Sequence, residues 1–251
     1  MDVLIIGYGN MGREIEKVLS TRNHVTVARI DPVDSEADGR TLEEDLARRS
    51  DVAIEFSLPE AVLPNIRRYV QYGISAVVGT TGWYDQIGAV QELLAPNTTG
   101  LVYGSNFSIG AHLFLSLVAR ATSLVEAIPD YDILAYELHH KRKKDSPSGT
   151  ALSVANVILE NSSRKTEIVT DKLDRKREDH ELHLASARGG ELPGIHSVLV
   201  DSVADTIELT HRARNRSGFA LGAVMAAEWI QGKTGLHTVS DFIQKILSER
   251  R

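Results

Sequence analysis

The feature that most constrains the fold is a glycine-rich loop near the N-terminus, Gly7-Tyr8-Gly9-Asn10-Met11-Gly12. It follows an apolar run at residues 3–6 and precedes a helical pattern over residues 10–20. Glycines at this spacing permit a tight strand-to-helix turn and a close approach of the backbone to a pyrophosphate. The free N–H groups at the start of the helix attract phosphate. The loop therefore favours dinucleotide binding over its alternative, a purely structural turn.

An acidic residue supports this prediction. The second apolar run ends at Asp31, close to the ~20-residue spacing at which a carboxylate accepts hydrogen bonds from the adenosine ribose. Pro32 stands where a basic side chain would help to hold a 2′-phosphate, and Arg29 is the nearest cation. We therefore expect NADH as the cofactor, or both NADH and NADPH.

The order of the predicted elements indicates two domains. The first hundred residues alternate short apolar runs with helical patterns, which predicts βαβ units and a parallel sheet. A long helix over residues 109–128 is then followed by a strand at 131–140 and a helix at 149–159. Three strand candidates come next, and a mixed sheet is expected from them. They lie at residues 181–187, 194–203 and 205–213.

Two further predictions complete the chain. Residues 165–181 are so highly charged that we expect a solvated excursion, and helices are expected again at residues 219–230 and 240–247. The predicted fold class is α/β, with a Rossmann-like dinucleotide-binding domain and an α+β domain for substrate binding and oligomerisation. The first comprises residues 1–107 and 218–251, and the second comprises residues 108–217.

Composition excludes several classes of function. Lys+Arg 28 against Asp+Glu 34 gives the 251 residues a net charge of −6, which argues against nucleic acid or an anionic membrane as a partner. Zero cysteines exclude disulfides and thiolate metal sites, and we expect no metal. No apolar stretch reaches the ~20 residues that span a bilayer, and no signal segment precedes the first strand, so a cytoplasmic protein is expected.

Two polar segments follow later strands of the predicted parallel sheet. They are Gly79-Thr80-Thr81-Gly82 and Ser105-Asn106-Phe107-Ser108. Ligands of open α/β sheets bind at the carboxyl ends of the strands, where both segments are expected to lie. Small hydroxyl and amide side chains suit the carboxamide of a nicotinamide ring. Each segment alone is more typical of an ordinary turn, but the placement of both beside one crevice favours the two interpretations about equally.

The most informative segment runs from Glu137 to Ala151, with the sequence ELHHKRKKDSPSGTA. Ser148 is a good helix N-cap, and the residues after it present free N–H groups at the positive end of a helix dipole. Histidine exchanges protons near neutral pH, and lysine supplies a charge or a second acid. The segment predicts an anion-binding cradle that faces a proton donor. A solvated basic loop and a nucleic-acid patch are the alternatives, and adjacent strand histidines rarely share one metal ion.

This segment resembles the E-x-H-H-x-x-K-x-D-x-P-S-G-T-A signature of the 4-hydroxy-tetrahydrodipicolinate reductase family, whose members are also called dihydrodipicolinate reductases. The resemblance extends over nearly the whole chain, with further matching segments in the family's order. They are residues 7–12, Phe56-Ser57-Leu58-Pro59-Glu60, Gly79-Thr80-Thr81-Gly82, Asn106-Phe107-Ser108, Arg188-Gly189-Gly190, Gly194-Ile195-His196 and Phe219-Ala220-x-Gly222-Ala223.

The resemblance implies an oxidoreductase of lysine and diaminopimelate biosynthesis that uses NAD(P)H to reduce a small anionic dicarboxylate, and that forms a homotetramer. It implies that His139 is the proton donor and that Lys143 assists as a second acid or charge-stabilising group. Substrate contacts fall on His140, Gly149 and Thr150. Cofactor contacts fall on Gly7, Tyr8, Gly9, Asn10, Met11, Asp31, Gly79, Thr80, Thr81, Ser105, Asn106 and Phe107.

Two other functions share parts of this pattern. A diaminopimelate or aspartate dehydrogenase could have the same glycine loop and domain plan, and a non-catalytic NADH sensor could have the same cofactor domain. Neither is expected to combine His139-His140 and Lys143 with Ser148-Gly149-Thr150.

Overall fold

The computed structural model describes residues 1–248, and their contacts divide them into two compact units. Unit 1 comprises residues 1–109 and 216–248, and unit 2 comprises residues 110–215. No helix within residues 1–248 is both long enough and apolar enough to cross a membrane.

The chain forms eleven strands, eight α-helices and one short 3-10 helix (Tyr84–Gln86) within the described residues. The strands are β1 (Asp2–Ile6), β2 (Val25–Ile30), β3 (Val52–Glu55), β4 (Ser75–Val78), β5 (Gly100–Tyr103), β6 (Asp132–His139), β7 (Glu167–Val169), β8 (Glu181–Arg188), β9 (Ile195–Asp201), β10 (Thr206–Arg212) and β11 (Gly235–Thr238). The helices are α1 (Asn10–Thr21), α2 (Glu44–Arg48), α3 (Pro59–Tyr72), α4 (Ile87–Leu94), α5 (Ile109–Val125), α6 (Gly149–Glu160), α7 (Ser217–Ile230) and α8 (Val239–Ser248).

Unit 1 is built on a six-stranded sheet with the order β11-β5-β4-β3-β1-β2, in which every pair of neighbours is parallel. Alternate side chains of its strands point to opposite faces, and both faces are buried. Val3 and Ile5 of β1 pack against α1, α7 and α8, whereas Leu4 and Ile6 pack on the side of α3 and α4. The sheet explains why these strands are apolar without alternation.

Helix α7 approaches this sheet very closely because its packing face consists of small residues. A Cβ atom at Gly222 would lie 1.6 Å from the carbonyl oxygen of Phe107, so only glycine fits there. Ala223 and Ala227 on the same helix are fully buried. The segment that follows β5 is therefore held against α7.

Unit 2 contains a five-stranded sheet with the order β10-β9-β6-β8-β7. The strands β10, β9 and β6 are antiparallel neighbours, and β6, β8 and β7 are parallel. Helices α5 and α6 cover one face through buried side chains that include Val118 and Ile158. The predicted fold class, a Rossmann-like parallel sheet together with a mixed sheet, is confirmed.

The structure also corrects some element predictions. The prediction of a solvated excursion over residues 165–181 is wrong at both ends, because Lys165 and Glu181 are each only 4% exposed. The segment also contains β7, which pairs with β8. The Nζ of Lys165 lies 2.6 Å from Oδ1 of Asp132 and donates to the carbonyl of Asp179. Helix α5 ends at Val125 rather than at residue 128, and α2 and β11 were not predicted.

Candidate active site

The glycine loop joins β1 to α1 and has the geometry that phosphate binding requires. Gly7 has a φ of +89°, and a Cβ atom on it would lie 2.1 Å from the carbonyl oxygen of Phe56. A Cβ atom on Gly12 would lie almost as close to the carbonyl oxygen of Gly7, whereas a Cβ atom on Gly9 would have open space around it. Within the described residues no side chain caps α1, so the N–H groups of its first turn remain available to an anion.

Asp31 follows β2 and points its carboxylate at this loop. Its Oδ2 accepts a hydrogen bond of 2.8 Å from the backbone N–H of Tyr8, and its Oδ1 accepts from the N–H groups of Val33 and Asp34. Partial burial raises the pKa of Asp31, but these N–H donors and the nearby charge of Arg13 outweigh it and leave the pKa below the ordinary value. The carboxylate is therefore ionised at neutral pH.

A cavity of about 500 Å³ opens beside Asp31. It is lined by the glycine loop, by residues 30–33, by residues 40–42 and by the start of α3. Arg13 pairs with Asp34, and Arg29 pairs with Glu16 and Asp38. The cavity wall also contains Arg40, which donates to the carbonyl of Pro32, and Arg68; neither forms an ion pair within residues 1–248. The dimensions suit an adenosine, and the carboxylate at its wall suits a ribose hydroxyl.

A second cavity, of about 410 Å³, joins the glycine loop to the segment after β4. Thr80 is buried, and its Oγ1 accepts a 2.8 Å hydrogen bond from the N–H of Ser57. The wall also includes Arg216, which makes no ion pair within residues 1–248. The predicted cofactor residues that line this second cavity are Gly9, Asn10, Met11, Gly79, Thr80 and Thr81.

The third predicted cofactor segment does not line this cavity. Ser105, Asn106 and Phe107 follow β5, the neighbour of β4 in the sheet. Asn106 uses its Oδ1 to accept a hydrogen bond from the N–H of Ser108, and the ring of Phe107 is buried in the core against Phe56. The ring of Phe107 is therefore not available to a ligand.

In unit 2, His139 lies at the end of β6 and is 7% exposed. Its Nδ1 lies 2.8 Å from Oε2 of Glu137, and its ring meets the edge of the His196 ring at a centroid distance of 5.2 Å. Burial lowers the pKa of His139, and the positive charges of Lys143 and Arg188 act in the same direction, so the pKa lies below its ordinary value although Glu137 raises it. His139 is therefore a buried imidazole whose protonation depends on its carboxylate neighbour.

The basic run after β6 is less positive than its sequence suggests. Lys143 is mostly buried, and its Nζ lies 2.9 Å from Oδ1 of Asp145. Lys141 and Arg142 are exposed and both pair with Glu191. Lys143 is thus the cation of this run that the fold places inward, together with the half-buried His140.

The N-cap at the start of α6 has the predicted form. Ser148 caps the helix, since its Oγ accepts a 3.1 Å hydrogen bond from the N–H of Ala151. The same hydroxyl lies 3.2 Å from Nε2 of His196. Gly149 is exposed with open space around it, and Thr150 is half-buried, so the first N–H groups of α6 remain accessible to a carboxylate.

Sequence reasoning did not assign Glu137, His196 or Arg216. Glu137 and His139 lie two residues apart on one strand and therefore share a face, which was a detectable signal. His196 joins them only because β6 and β9 pair with Glu137 opposite His196. Potential metal-ligand atoms of Glu137, His139 and His196 lie within 4.8 Å of one another. Hydrogen bonds and the charge of Arg188 account for Oε1 of the buried Glu137, whereas its Oε2 has no hydrogen-bond partner within residues 1–248.

The chain matches two family models, which describe the two parts of one kind of enzyme. Residues 1–107 match dihydrodipicolinate reductase, N-terminus, and residues 110–243 match dihydrodipicolinate reductase, C-terminus. A 4-hydroxy-tetrahydrodipicolinate reductase of Christiangramia forsetii is 37% identical and covers 98% of this chain and 99% of its own length. The enzyme of the same name from Rickettsia bellii is 35% identical over 96% of this chain and 93% of its own.

A solved structure shows the same fold. The dipicolinate-bound dihydrodipicolinate reductase of Paenisporosarcina sp. TG-14 superposes with a TM-score of 0.74 at 24% identity, and the match covers 95% of this chain and 97% of that one.

Proposed function

The chain belongs to the dihydrodipicolinate reductase family, and we propose that it uses NAD(P)H to reduce 4-hydroxy-tetrahydrodipicolinate to tetrahydrodipicolinate. Membership makes it an oxidoreductase of lysine biosynthesis. The observation that carries the proposal is the cluster in unit 2. There the buried imidazole of His139 lies beside the carboxylate of Glu137. The same carboxylate accepts a hydrogen bond from the N–H of Ser148, which caps the open N-terminus of α6. This cluster suits a substrate that carries carboxylates and needs a proton.

Unit 1 supplies the proposed cofactor site. The uncapped start of α1, the open space at Gly9 and the carboxylate of Asp31 fit a pyrophosphate and a ribose. We propose that Arg216 adds a positive charge to the phosphate site, because it lines the same cavity as Asn10 and Thr80. When bound, NAD(P)H supplies the hydride for the reduction.

We propose that NADH is used at least as well as NADPH. The ionised Asp31 would repel a 2′-phosphate, and Pro32 offers no compensating charge. Arg13 and Arg29 are neutralised by carboxylate partners, and Arg40 and Arg68 of the cavity wall, which form no ion pair in the described part of the chain, allow NADPH as a second cofactor. Comparing kcat/KM for the two cofactors tests this directly, and a preference for NADPH above ~10-fold, about 1.4 kcal/mol, would contradict it.

In the proposed mechanism the first N–H groups of α6 and the side chains of His140 and Lys143 hold the substrate carboxylates. Hydride addition builds negative charge on the conjugated ring, and the imidazolium of His139 neutralises it by donating a proton. The helix N-terminus and Lys143 stabilise the charge that develops before this proton moves. General acid catalysis of this type contributes ~10²–10⁴-fold.

The decisive assay follows the oxidation of NADH and of NADPH with enzymatically generated substrate. His139→Gln is expected to lose ~10²–10⁴-fold in kcat, and Lys143→Ala to lose kcat/KM for the dicarboxylate while the affinity for NADH stays unchanged. Lys141→Ala is the matched control, because its side chain is exposed and pairs with Glu191. Near wild-type kcat in His139→Gln would refute the assignment. Tight NADH binding without turnover would instead favour a sensor.

We also propose that the chain forms a homotetramer through the sheet of unit 2. The face of this sheet opposite α5 and α6 carries partly exposed apolar side chains, among them Leu134 and Leu199. Beside them Ser197 and Thr210 form a hydrogen-bonded pair across β9 and β10. Sedimentation at micromolar concentration tests this proposal, and a monomer would contradict it.

A further inference from the structure

Glu137 is a buried carboxylate that the proposed mechanism does not use. It is 0% exposed and lies within β6, where its register partners are His196 on β9 and Ser186 on β8. Burial of a carboxylate is unfavourable, so a fold retains one in such a position only with donors around it. The contacts of its two oxygens differ, and the difference suggests a role for each.

The first oxygen, Oε1, binds the structural elements of the site. It accepts hydrogen bonds from the N–H of Ser148 at 2.9 Å, from the hydroxyl of Ser186 at 2.9 Å and from the guanidinium of Arg188 at 2.7 Å. Arg188 also donates to the carbonyl of Asp145, in the loop that precedes α6. One oxygen thus fixes the start of α6, the proposed carboxylate cradle, relative to the sheet.

The second oxygen, Oε2, faces two imidazoles. Nδ1 of His139 lies 2.8 Å from it and Nε2 of His196 lies 3.7 Å from it. Within residues 1–248 neither Oε2 nor this Nδ1 forms a hydrogen bond, so each is the nearest candidate partner of the other. His139 is two residues along the same strand, so its side chain falls on the same face of the sheet as Glu137. The other nitrogen of His139, Nε2, faces Gly194, where a Cβ atom would lie only 2.9 Å away. Glycine at this position, with a φ of +152°, avoids the contact that any larger residue would make with Nε2.

We propose that Glu137 is a positioning residue that holds Nδ1–H of His139 and thereby makes Nε2 the atom that donates the proton to the substrate. The proposal rests on the function assigned to His139 above. During the transfer the Nε2–H bond breaks, the proton joins the reduced ring, and the neutral imidazole keeps its Nδ1–H toward Glu137. This arrangement parallels the carboxylate that orients the histidine of a hydrolase triad.

The charges around His139 support this role. Lys143 and His140 lie on the loop that follows His139 and lower the pKa of that residue, because they disfavour a positive charge on its imidazole. Arg188 on β8 has the same effect. His196 on β9 adds no charge at neutral pH, since burial lowers its pKa to about 4. Burial raises the pKa of Glu137, but hydrogen bonds from Ser148 and Arg188 outweigh it and bring the pKa to about 2. Glu137 is therefore the ionised group that raises the pKa of His139.

The experiment compares wild type with Glu137→Gln, in which an amide N–H would point at Nδ1 of His139 and favour the opposite tautomer. We expect the pKa of His139, followed by NMR of its Cε1–H in the ligand-free protein, to fall in the variant. The alkaline limb of the kcat profile should move to lower pH, and kcat should fall ~10²-fold or more while the KM for NADH is unchanged. Glu167→Gln, at an exposed position on β7 of the same sheet, is the control.

Two further measurements separate the outcomes. Adding Glu137→Gln to His139→Gln should cause little further loss of kcat, because Glu137 acts through His139. If Glu137→Gln does not fold, the ¹⁵N shifts of wild-type His139 decide: a neutral imidazole protonated at Nε2 would overturn the proposal. An unchanged pKa and pH profile in a folded Glu137→Gln would overturn it as well. A lowered pKa in a protein that does not reduce the dicarboxylate would instead reject the proposed function alone.

Discussion

Glu55, at the end of β3, offers a quantitative test of the physics of unit 1. The residue is 0% exposed and accepts hydrogen bonds from Ser57, Asn65 and Tyr69, all of them uncharged donors. No cation pairs with it within residues 1–248. Burial raises the pKa of Glu55 from an ordinary 4.5 to about 6, although the hydrogen bonds oppose the change. Replacing it by glutamine removes the charge and keeps the shape.

The magnitude follows from this pKa. The folded state binds the proton of Glu55 more tightly than the unfolded state, so the group favours folding most below pH 4.5. That contribution is lost as pH rises through about 6, and the loss amounts to ~2 kcal/mol in the free energy of unfolding. Glu55→Gln does not titrate. The free energy of unfolding of the variant relative to wild type should therefore rise by ~2 kcal/mol between about pH 4 and pH 7.

Urea unfolding followed by tryptophan fluorescence measures this difference. Both tryptophans of the chain, Trp83 and Trp229, belong to unit 1, so the signal reports the unit that contains Glu55. The prediction concerns only how the difference in free energy of unfolding between variant and wild type changes with pH. The fixed cost of the substitution and the titration of other groups cancel in that comparison. Exposed Glu92→Gln is the control and should show no such change. A difference between Glu55→Gln and wild type that is constant with pH would refute the reasoning.

Two other predictions test packing and cofactor binding. Gly222→Ala should destabilise unit 1 by about 3 kcal/mol because of its contact with Phe107, whereas Gly88→Ala, at an open helical position, should stabilise it by ~0.5–1 kcal/mol. Equal effects in urea unfolding would contradict the close approach of α7. Arg216→Ala should weaken NADH binding roughly 10–150-fold, as measured by NADH fluorescence, because a charge-assisted contact to phosphate contributes ~1.5–3 kcal/mol. Arg214→Ala, outside the cavity lining, should not, and equal affinities for the two variants would argue against a phosphate contact at Arg216.

The parts of the fold that depend on local pattern were predictable from sequence. The bounds of α3 follow from Pro59 at its first position and from Gly73 after its end, where the φ is +69°. Strand β11 escaped prediction because its four residues are only half-buried and its pairing with β5 comes from tertiary structure. Lys165 was misassigned because its charge suggested solvent, whereas the fold surrounds its amine with Asp132 and two carbonyl oxygens.

The same distinction between local sequence pattern and tertiary structure applies to the candidate site. The glycine loop and the N-cap at Ser148 are local motifs, and the structure has both in the expected form. The environment of His139 was not predictable, because Glu137, His196 and Arg188 meet through the pairing of β6 with β9 and β8. Strand register is a long-range property, and the sequence around His196 carries no sign of which strand it will face.

The discontinuity of unit 1 has a consequence for how the molecule is made. Val3, Ile5 and Val102 lie on the face of the sheet that α7 covers, but α7 is synthesised only after all of unit 2. The first stretch of unit 1 therefore leaves the ribosome with an apolar face that only α1 covers, and exposed apolar surface of this kind is what chaperones bind. Unit 2 is contiguous, so it is the first part of the described chain that a nascent polypeptide can complete.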